Sequence, residues 1–437
     1  MARGESKKGI KIFFTCVAIL LIIAIVAGAC WYFLVYKKKP IDNGLNTGDG
    51  DTTQGETKDP SGSDNKDPSG GDNKDPSGGG NTNGAYDATI GAGNLSDVSS
   101  ADLSIHFIAP KVKASGDCTL IKVGNTEVLI DAGPTQGNAE AIKDYLATYC
   151  TDNVLEYVIV THGDSDHISG MVGTSSGGKY NGILYNYQIG TIVQFDKTNQ
   201  SLTTSSGGQS LYGKYVTAVE YAKEHGAAVY TGLQCWNETD GAHKSYALSE
   251  TVTMNILYNY YYENKSSDEN NYSVCMLLSQ KINDTKTNHY LFTGDLEEKG
   301  EEYLVQYNEL PEVELYKAGH HGSKTSSTNE LLRVIKPKCV VVCCCAGYNQ
   351  YHAAAENVFP TQAFVDRIGP YTDAVYVTIQ WDETNNGYKP MNGNIILYCG
   401  KRAEDNVWSL KLYCSNNSVK LKDTEWFKAN RTWNGAE

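Results

Sequence analysis

His162-Gly163-Asp164-Ser165-Asp166-His167 sets four metal-capable side chains within six residues, directly after an apolar run that reads as a strand. Imidazole nitrogen and carboxylate oxygen together suit zinc, manganese or iron. A loop at a strand end can turn alternate side chains toward two neighbouring points. The same hexapeptide can also be read as a polar strand-to-helix turn in which Asp164 or Asp166 caps the next helix. Two further clusters weigh on the choice. Leu291-Phe292-Thr293-Gly294-Asp295 is an apolar run ending in Gly-Asp, and Gly319-His320-His321-Gly322-Ser323 follows another. Three polar clusters, each at a strand's end, can converge along one edge of a layered sheet. Such a convergence would form a metal site.

The elements that would position these residues are short apolar runs alternating with helical periods. Strands are predicted at 103–108, 118–123, 127–131, 155–160, 272–278, 290–293, 313–316 and 339–345, and helices at 139–149, 211–225, 297–306, 329–335 and 362–368. Two β-rich halves with helices outside would make a four-layer α/β sandwich, although periodicity alone does not select it over other α/β folds. Residues 408–413 read as one more strand, followed by a polar tail containing Trp426 and Trp433. This C-terminal extension, after about residue 400, either closes an edge of the fold or forms an appendage.

In type and order these motifs resemble the metallo-β-lactamase superfamily, and within it the soluble domain of the ComEC DNA-uptake proteins. The resemblance covers about residues 103–399. It rests on Gly116-Asp117, Leu129-Ile130-Asp131-Ala132-Gly133, the His162 to His167 motif, Thr293-Gly294-Asp295-Leu296-Glu297 and His320-His321-Gly322-Ser323. It implies an αββα sandwich holding two divalent metal ions, zinc first and manganese as the alternative. His162 and Asp164 would hold one ion, and Asp166 and His167 the other. Asp295 would bridge them, and His321 would complete the second site while His320 faces the substrate; the reverse assignment within the pair stays open. Asp166 would also orient the attacking water, and His320 would stabilise or protonate the leaving oxygen. Asp131 would hold a ligand histidine ring by hydrogen bonding, as ligand histidines generally require.

Two departures from the pattern matter. Asp164 stands where many members have histidine, which moves the site toward harder metals. The family's third-motif histidine is missing, because the stretch before Asp295's strand reads Asn270-Asn271-Tyr272-Ser273. That weakens the hold on the first ion. Ser323 and Lys324, ahead of a predicted helix, would grip a phosphate oxygen, with a polar helix cap as the alternative. His352, near a histidine of the ComEC branch's rim, is assigned to substrate contact. His106, His225, His243 and His289 read as structural.

The formal net charge of −14 opposes generic, charge-driven binding to nucleic acid. The function the resemblance implies is a metal-dependent hydrolase acting outside the cell on a phosphodiester, either nucleic acid as substrate only or an envelope phosphodiester such as a choline-phosphate teichoic acid. The alternatives are a binding or sensing module of the same fold and a lactamase-type amide hydrolase.

Residues 12–36 form an uncharged apolar run, long enough for the ~20 residues of a membrane helix. It continues past Cys30, which suits an uncleaved anchor better than a signal peptide. Residues 37–84 carry three copies of a unit opening Lys-Asp-Pro-Ser-Gly and have almost no apolar side chains, so they read as a disordered linker. The expected order is a cytoplasmic segment 1–11, a single-pass anchor in the cell membrane, the linker, and a domain at 85–437 lying outside the cell. No obligate protein partner is inferable. The twelve cysteines lack the spacing of a disulfide scaffold, and Cys343, Cys344 and Cys345 read as small buried hydrophobes.

Overall fold

The computed structural model describes residues 85–351 and 354–435, so the anchor at 12–36, the linker at 37–84 and His352 lie outside the described residues. Among the described residues no helix is long and apolar enough to cross a membrane.

The architecture is mixed α/β, built on two large sheets. The nine-stranded sheet runs, in spatial order, Tyr86–Ala92, Trp408–Cys414, Ile395–Lys401, Leu103–Phe107, Thr119–Val123, Thr126–Ile130, Val154–Val160, Gln188–Gln194 and Ala228–Thr231. The eight-stranded sheet runs Ser245–Ala247, Val252–Ile256, Met276–Lys281, Thr287–Phe292, Leu315–Lys317, Cys339–Ala346, Val375–Asp382 and Gly387–Pro390. Phe107 of the first sheet stacks on Phe292 of the second with ring centroids 6.4 Å apart.

Strand Cys339–Ala346 is buried along its whole length, because each of its faces meets a core. Cys339, Val341 and Cys343 join the core that also holds Phe107 and Phe292. Val340, Val342 and Cys344 join a second core with Leu304, Leu331, Leu332 and Phe364 from the helices Glu298–Tyr307, Asn329–Ile335 and Gln362–Ile368. The ten cysteines among the described residues are all buried free thiols.

The predicted strand at 272–278 starts later, at Met276. Glu269–Tyr272 is instead a 3-10 turn, begun by Asp268 accepting from the Asn270 N–H, and the Ser273 hydroxyl donates back to the Asn270 carbonyl. Residues beyond 400 are integral to the fold. Trp408–Cys414 pairs along its length with Ile395–Lys401, and the edge strand Tyr86–Ala92 adds to it in parallel.

The helix Ser165–Val172 carries two of the predicted site residues and is docked by its backbone. The Ala132 N–H donates to the His167 carbonyl (2.8 Å), the Gly170 N–H to the Ala132 carbonyl (2.5 Å), and the Asp117 N–H to the Asp166 carbonyl (3.1 Å). So close an approach needs glycine at 133, where a Cβ would stand 1.6 Å from the Asp166 carbonyl oxygen. Gly133→Ala is therefore expected to cost at least the roughly 1–3 kcal/mol of an overpacked core. The check is the urea midpoint, and a wild-type value would contradict this docking.

Candidate metal centre

Parallel pairing brings the predicted clusters to common strand ends. Thr126–Ile130 and Val154–Val160 run parallel in one sheet, and Thr287–Phe292, Leu315–Lys317 and Cys339–Ala346 run parallel in the other. Asp131, His162, Asp295 and the His320-His321 pair all follow the C-terminal ends of such strands. The turns there are forced. Asp131, His320 and His321 have φ of 56°, 44° and 54°, a region that costs non-glycine residues about 1–3 kcal/mol each unless the surroundings fix it. Gly294, at φ +55, has no room for a side chain, since a Cβ would lie 2.7 Å from Ser273 Oγ.

Four buried side chains meet where these ends converge. Asp166, His167, Asp295 and His321 each place a ligand atom within 4.8 Å of all the others. Asp295 Oδ2 lies 3.2 Å from His167 Nε2 and 3.1 Å from His321 Nε2, which is also 3.1 Å from Asp166 Oδ2. Atoms bound to one zinc ion at about 2.0–2.1 Å stand roughly 3–3.5 Å apart. His162 Nε2 and His167 Nε2 are buried and make no hydrogen bond within the protein. Buried polar atoms are seldom left so, and these two fit a cation.

Their partners on the far side hold the rings. His167 Nδ1 contacts Asp131 Oδ2 at 2.8 Å, and Asp131 also accepts from the Thr161 N–H and hydroxyl. His321 Nδ1 lies 2.9 Å from the Cys343 carbonyl. That carbonyl sits where the ladder between Cys339–Ala346 and Val375–Asp382 shifts register, between Val342 and Cys345. An irregularity of this kind frees backbone groups from the ladder.

The other predicted residues divide. His162 lies beside His167 with ring centroids 4.1 Å apart and the planes tilted by 49°, but its Nε2 is 3.6 Å from Asp164 Oδ2 and it stands outside the four-residue cluster. Asp164 occupies the N-cap position without making a capping bond. It is one-third exposed and accepts from Gln200 at 2.7 Å instead. Within the stretch Asn270 to Ser273, Ser273 Oγ stands 3.5 Å from His162 Nδ1. His320 is turned outward, its Nδ1 3.3 Å from both Glu297 Oε1 and Thr325 Oγ1.

His320, Ser323 and Lys324 line a cleft of about 260 Å³ with Asp268, Glu297 and Tyr351. The Ser323 hydroxyl is bonded to Thr325 Oγ1 at 2.9 Å. Lys324 is exposed and caps nothing, because Thr328 caps the helix Asn329–Ile335 and Glu301 accepts from the Ser327 and Thr328 N–H groups. His106, by contrast, is a neutral core residue between Ser104 and Tyr145, pushed down to about 3 by burial and Lys122.

Sequence reasoning gave no role to Asp117 and missed Lys317 and Tyr351. Lys317 is buried and paired with Asp117, and it reaches Asp295 Oδ1 at 3.3 Å and the Gly294 carbonyl at 3.1 Å. Its one signal was a lysine at the end of an apolar strand. The Tyr351 hydroxyl donates to Asp166 Oδ2 from a loop that no pattern marks.

Charge balance follows from these contacts. Burial disfavours a charged imidazole, but Asp295 and Asp131 outweigh it and hold His167 well above its ordinary pKa; Asp295 and Asp117 do the same for His321. Asp295, whose burial would raise it, is drawn well below its usual range by His321, His167 and Lys317. Burial, then the Glu297 carboxylate, pushes Asp268 up to about 6. The centre thus holds a dense set of carboxylates that demands positive charge, which a divalent ion supplies.

Residues 113–184 match the metallo-beta-lactamase superfamily. ComE operon protein 3 of Bacillus subtilis (strain 168) is 34% identical over 70 residues, which are 16% of this chain and 9% of that protein, so the match spans a small part of that relative's length. Among solved structures, the metallo-beta-lactamase fold protein YhfI from Bacillus subtilis is 10% identical with a TM-score of 0.34, covering 63% of this chain and 95% of that one. BJP-1, a subclass B3 metallo-beta-lactamase of Bradyrhizobium japonicum, is 14% identical with a TM-score of 0.24, covering 43% and 61%.

Proposed function

We propose that this chain, which resembles the metallo-beta-lactamase superfamily over residues 113–184 and ComE operon protein 3 over 70 residues, is a metal-dependent hydrolase whose substrate is a phosphodiester. The observation that carries this reading is the buried Asp166, His167, Asp295 and His321 cluster, in which His167 Nε2, like the neighbouring His162 Nε2, makes no hydrogen bond, beside a cleft lined by Tyr351, which bonds Asp166. Divalent ions in such a centre supply a nucleophilic water at neutral pH and polarise the phosphoryl oxygen. Asp166, His167, Asp295 and His321 would hold one ion, and His162 with Asp164 would hold a second more weakly.

The chain's own residues would do the rest. Asp166 orients the attacking water, its carboxylate held by His321 and the Tyr351 hydroxyl. Glu297 and Thr325 fix the His320 ring by Nδ1, which leaves Nε2 for the substrate and for protonating the leaving oxygen. Lys324 offers a cation to a phosphoryl oxygen at the cleft's edge. The acidic walls of the cleft and the net charge of −14 favour a short or envelope phosphodiester over a long nucleic acid. The domain would act outside the cell, tethered by residues 12–36. Protease digestion of intact cells, which should trim an exposed domain, checks that placement.

A sensing module remains the second reading, favoured by the stretch Asn270 to Ser273, which holds no histidine. Metal content and turnover separate the two. Wild-type chain is to be assayed on bis-p-nitrophenyl phosphate, single-stranded DNA and nitrocefin, with zinc and with manganese. His320→Ala is expected to keep its metal while phosphodiester turnover falls roughly 10²–10⁴-fold, as for a positioned acid–base group. His321→Ala is expected to lose metal. The opposite result within the pair reverses their roles, and bound metal without turnover of any substrate favours the module.

A further inference from the structure

Residues 347–351 and 354–361 present two faces. Tyr351, Asn357 and Phe359 line the reaction cleft, whereas Gly347, Asn349 and Val358 line a separate cleft of about 460 Å³. That volume falls in the range of about 300–1,000 Å³ usual for small-ligand sites. Its walls include Trp381, on the strand Val375–Asp382, and Trp426, on the helix Glu425–Asn430.

Both indoles are half-buried and packed against neighbouring groups. Trp426 lies directly on Gly347, where a Cβ would stand 2.4 Å from the indole nitrogen. The Arg431 guanidinium is 5.3 Å from the Trp426 ring and donates to the Val358 and Pro360 carbonyls at 2.8 and 2.9 Å. Trp381 is backed by the Tyr348 ring at 4.9 Å and the Lys113 ammonium at 5.1 Å. Asn349, Glu383 and Asn430, all exposed, supply hydrogen-bond donors and acceptors at the rim.

Immobilised aromatic faces bordered by amide and carboxylate groups suit a ligand that is apolar on its flat side and polyhydroxylated at its edge. Stacking on such rings needs no ordering of the rings themselves. A polyanion is disfavoured, because the Arg431 charge is committed to backbone carbonyls while Glu383 and the net charge of −14 repel it. We infer that this cleft is a sugar-binding subsite for a neutral pyranose unit of a glycan. The shared segment places a bound glycan next to the reaction cleft, and the inference stands whether or not a phosphodiester is hydrolysed there.

The test is titration of the full chain, in a detergent without a sugar head group, with cellotetraose and with chitotetraose, followed by tryptophan fluorescence. Saturable binding of at least one is expected, weakened up to about tenfold in Trp381→Ala and retained in Trp381→Phe, which keeps a stacking ring. Should Trp381→Ala lose its near-ultraviolet dichroism, Asn349→Ala and Glu383→Ala replace it; weakening by either supports the subsite. No saturable binding, affinity unchanged in the usable variants, or displacement of the sugar by octathymidylate overturns it.

Discussion

Asp295→Ala is expected to abolish stable metal binding at the cluster and to reduce turnover by at least the roughly 10²–10³-fold that follows loss of one preorganised charged group. Asp295 faces the Nε2 atoms of both rings, with Oδ2 3.2 Å from His167 and 3.1 Å from His321, while Oδ1 faces Lys317 at 3.3 Å. Its removal takes the carboxylate from between the two imidazoles and leaves the Lys317 ammonium one counterion short beside them, which weakens the hold on a divalent ion. The sheets should survive, since Asp295 lies beyond the end of strand Thr287–Phe292 and makes no ladder contact. Elemental analysis, turnover and circular dichroism on one preparation check all three parts. Metal and activity both at wild-type levels would remove Asp295 from the site.

Lys317→Met should act chiefly on stability. Lys317 is buried against Asp117 and Asp295, and the two carboxylates outweigh its own desolvation to hold it charged, above its ordinary pKa. Taking one partner from a buried ion pair typically costs about 3–5 kcal/mol, because the charge left behind has no counterion. A divalent ion offers the counterion by another route, and a ligand that binds only the folded state stabilises it by mass action. The variant should therefore show a large loss in denaturant midpoint after chelation and a smaller one with zinc present. An equal deficit under both conditions would mean that lysine and cation do not share the neutralising role.

Where local pattern dictates structure, the sequence was readable. The helices at 139–149, 329–335 and 362–368 occur as Ala139–Tyr149, Asn329–Ile335 and Gln362–Ile368, and the last two carry Thr328 and Thr361 as side-chain caps. The strand at 155–160 occurs as Val154–Val160, because its apolar side chains form a run. The strand predicted at 272 was misplaced because Tyr272 and Val274 look strand-like, whereas the Ser273 hydroxyl, bonded to the Asn270 carbonyl, holds a turn. Edge strand Tyr86–Ala92 depends on a partner more than 300 residues away (Tyr86 pairs with Trp408). No local pattern announces such a pairing.

The site shows the same division. Motif order pointed to Asp166, His167, Asp295 and His321, which the fold gathers. Adjacent residues of one type cannot be told apart by spacing, and it took the left-handed turn at 320–321 to send His321 inward and His320 toward the cleft. The Cys343 carbonyl that steadies His321 depends on a register shift in another strand, which the run of three cysteines does not reveal.

The cluster draws Asp166 and His167 from the helix that follows strand Val154–Val160 of one sheet and Asp295 and His321 from the strand ends of the other, and Asp166 meets His321 across 155 positions of chain. Closing so long a loop costs entropy that rises only slowly with length, so a single cross-connection constrains a large part of the chain. A cation held there would behave as a removable stitch along the seam between the two halves. The protein has its own thread for the same seam: Lys317 with charged His167 and His321 against the carboxylates. Surrender of the ion should thus silence the chemistry well before the two halves part.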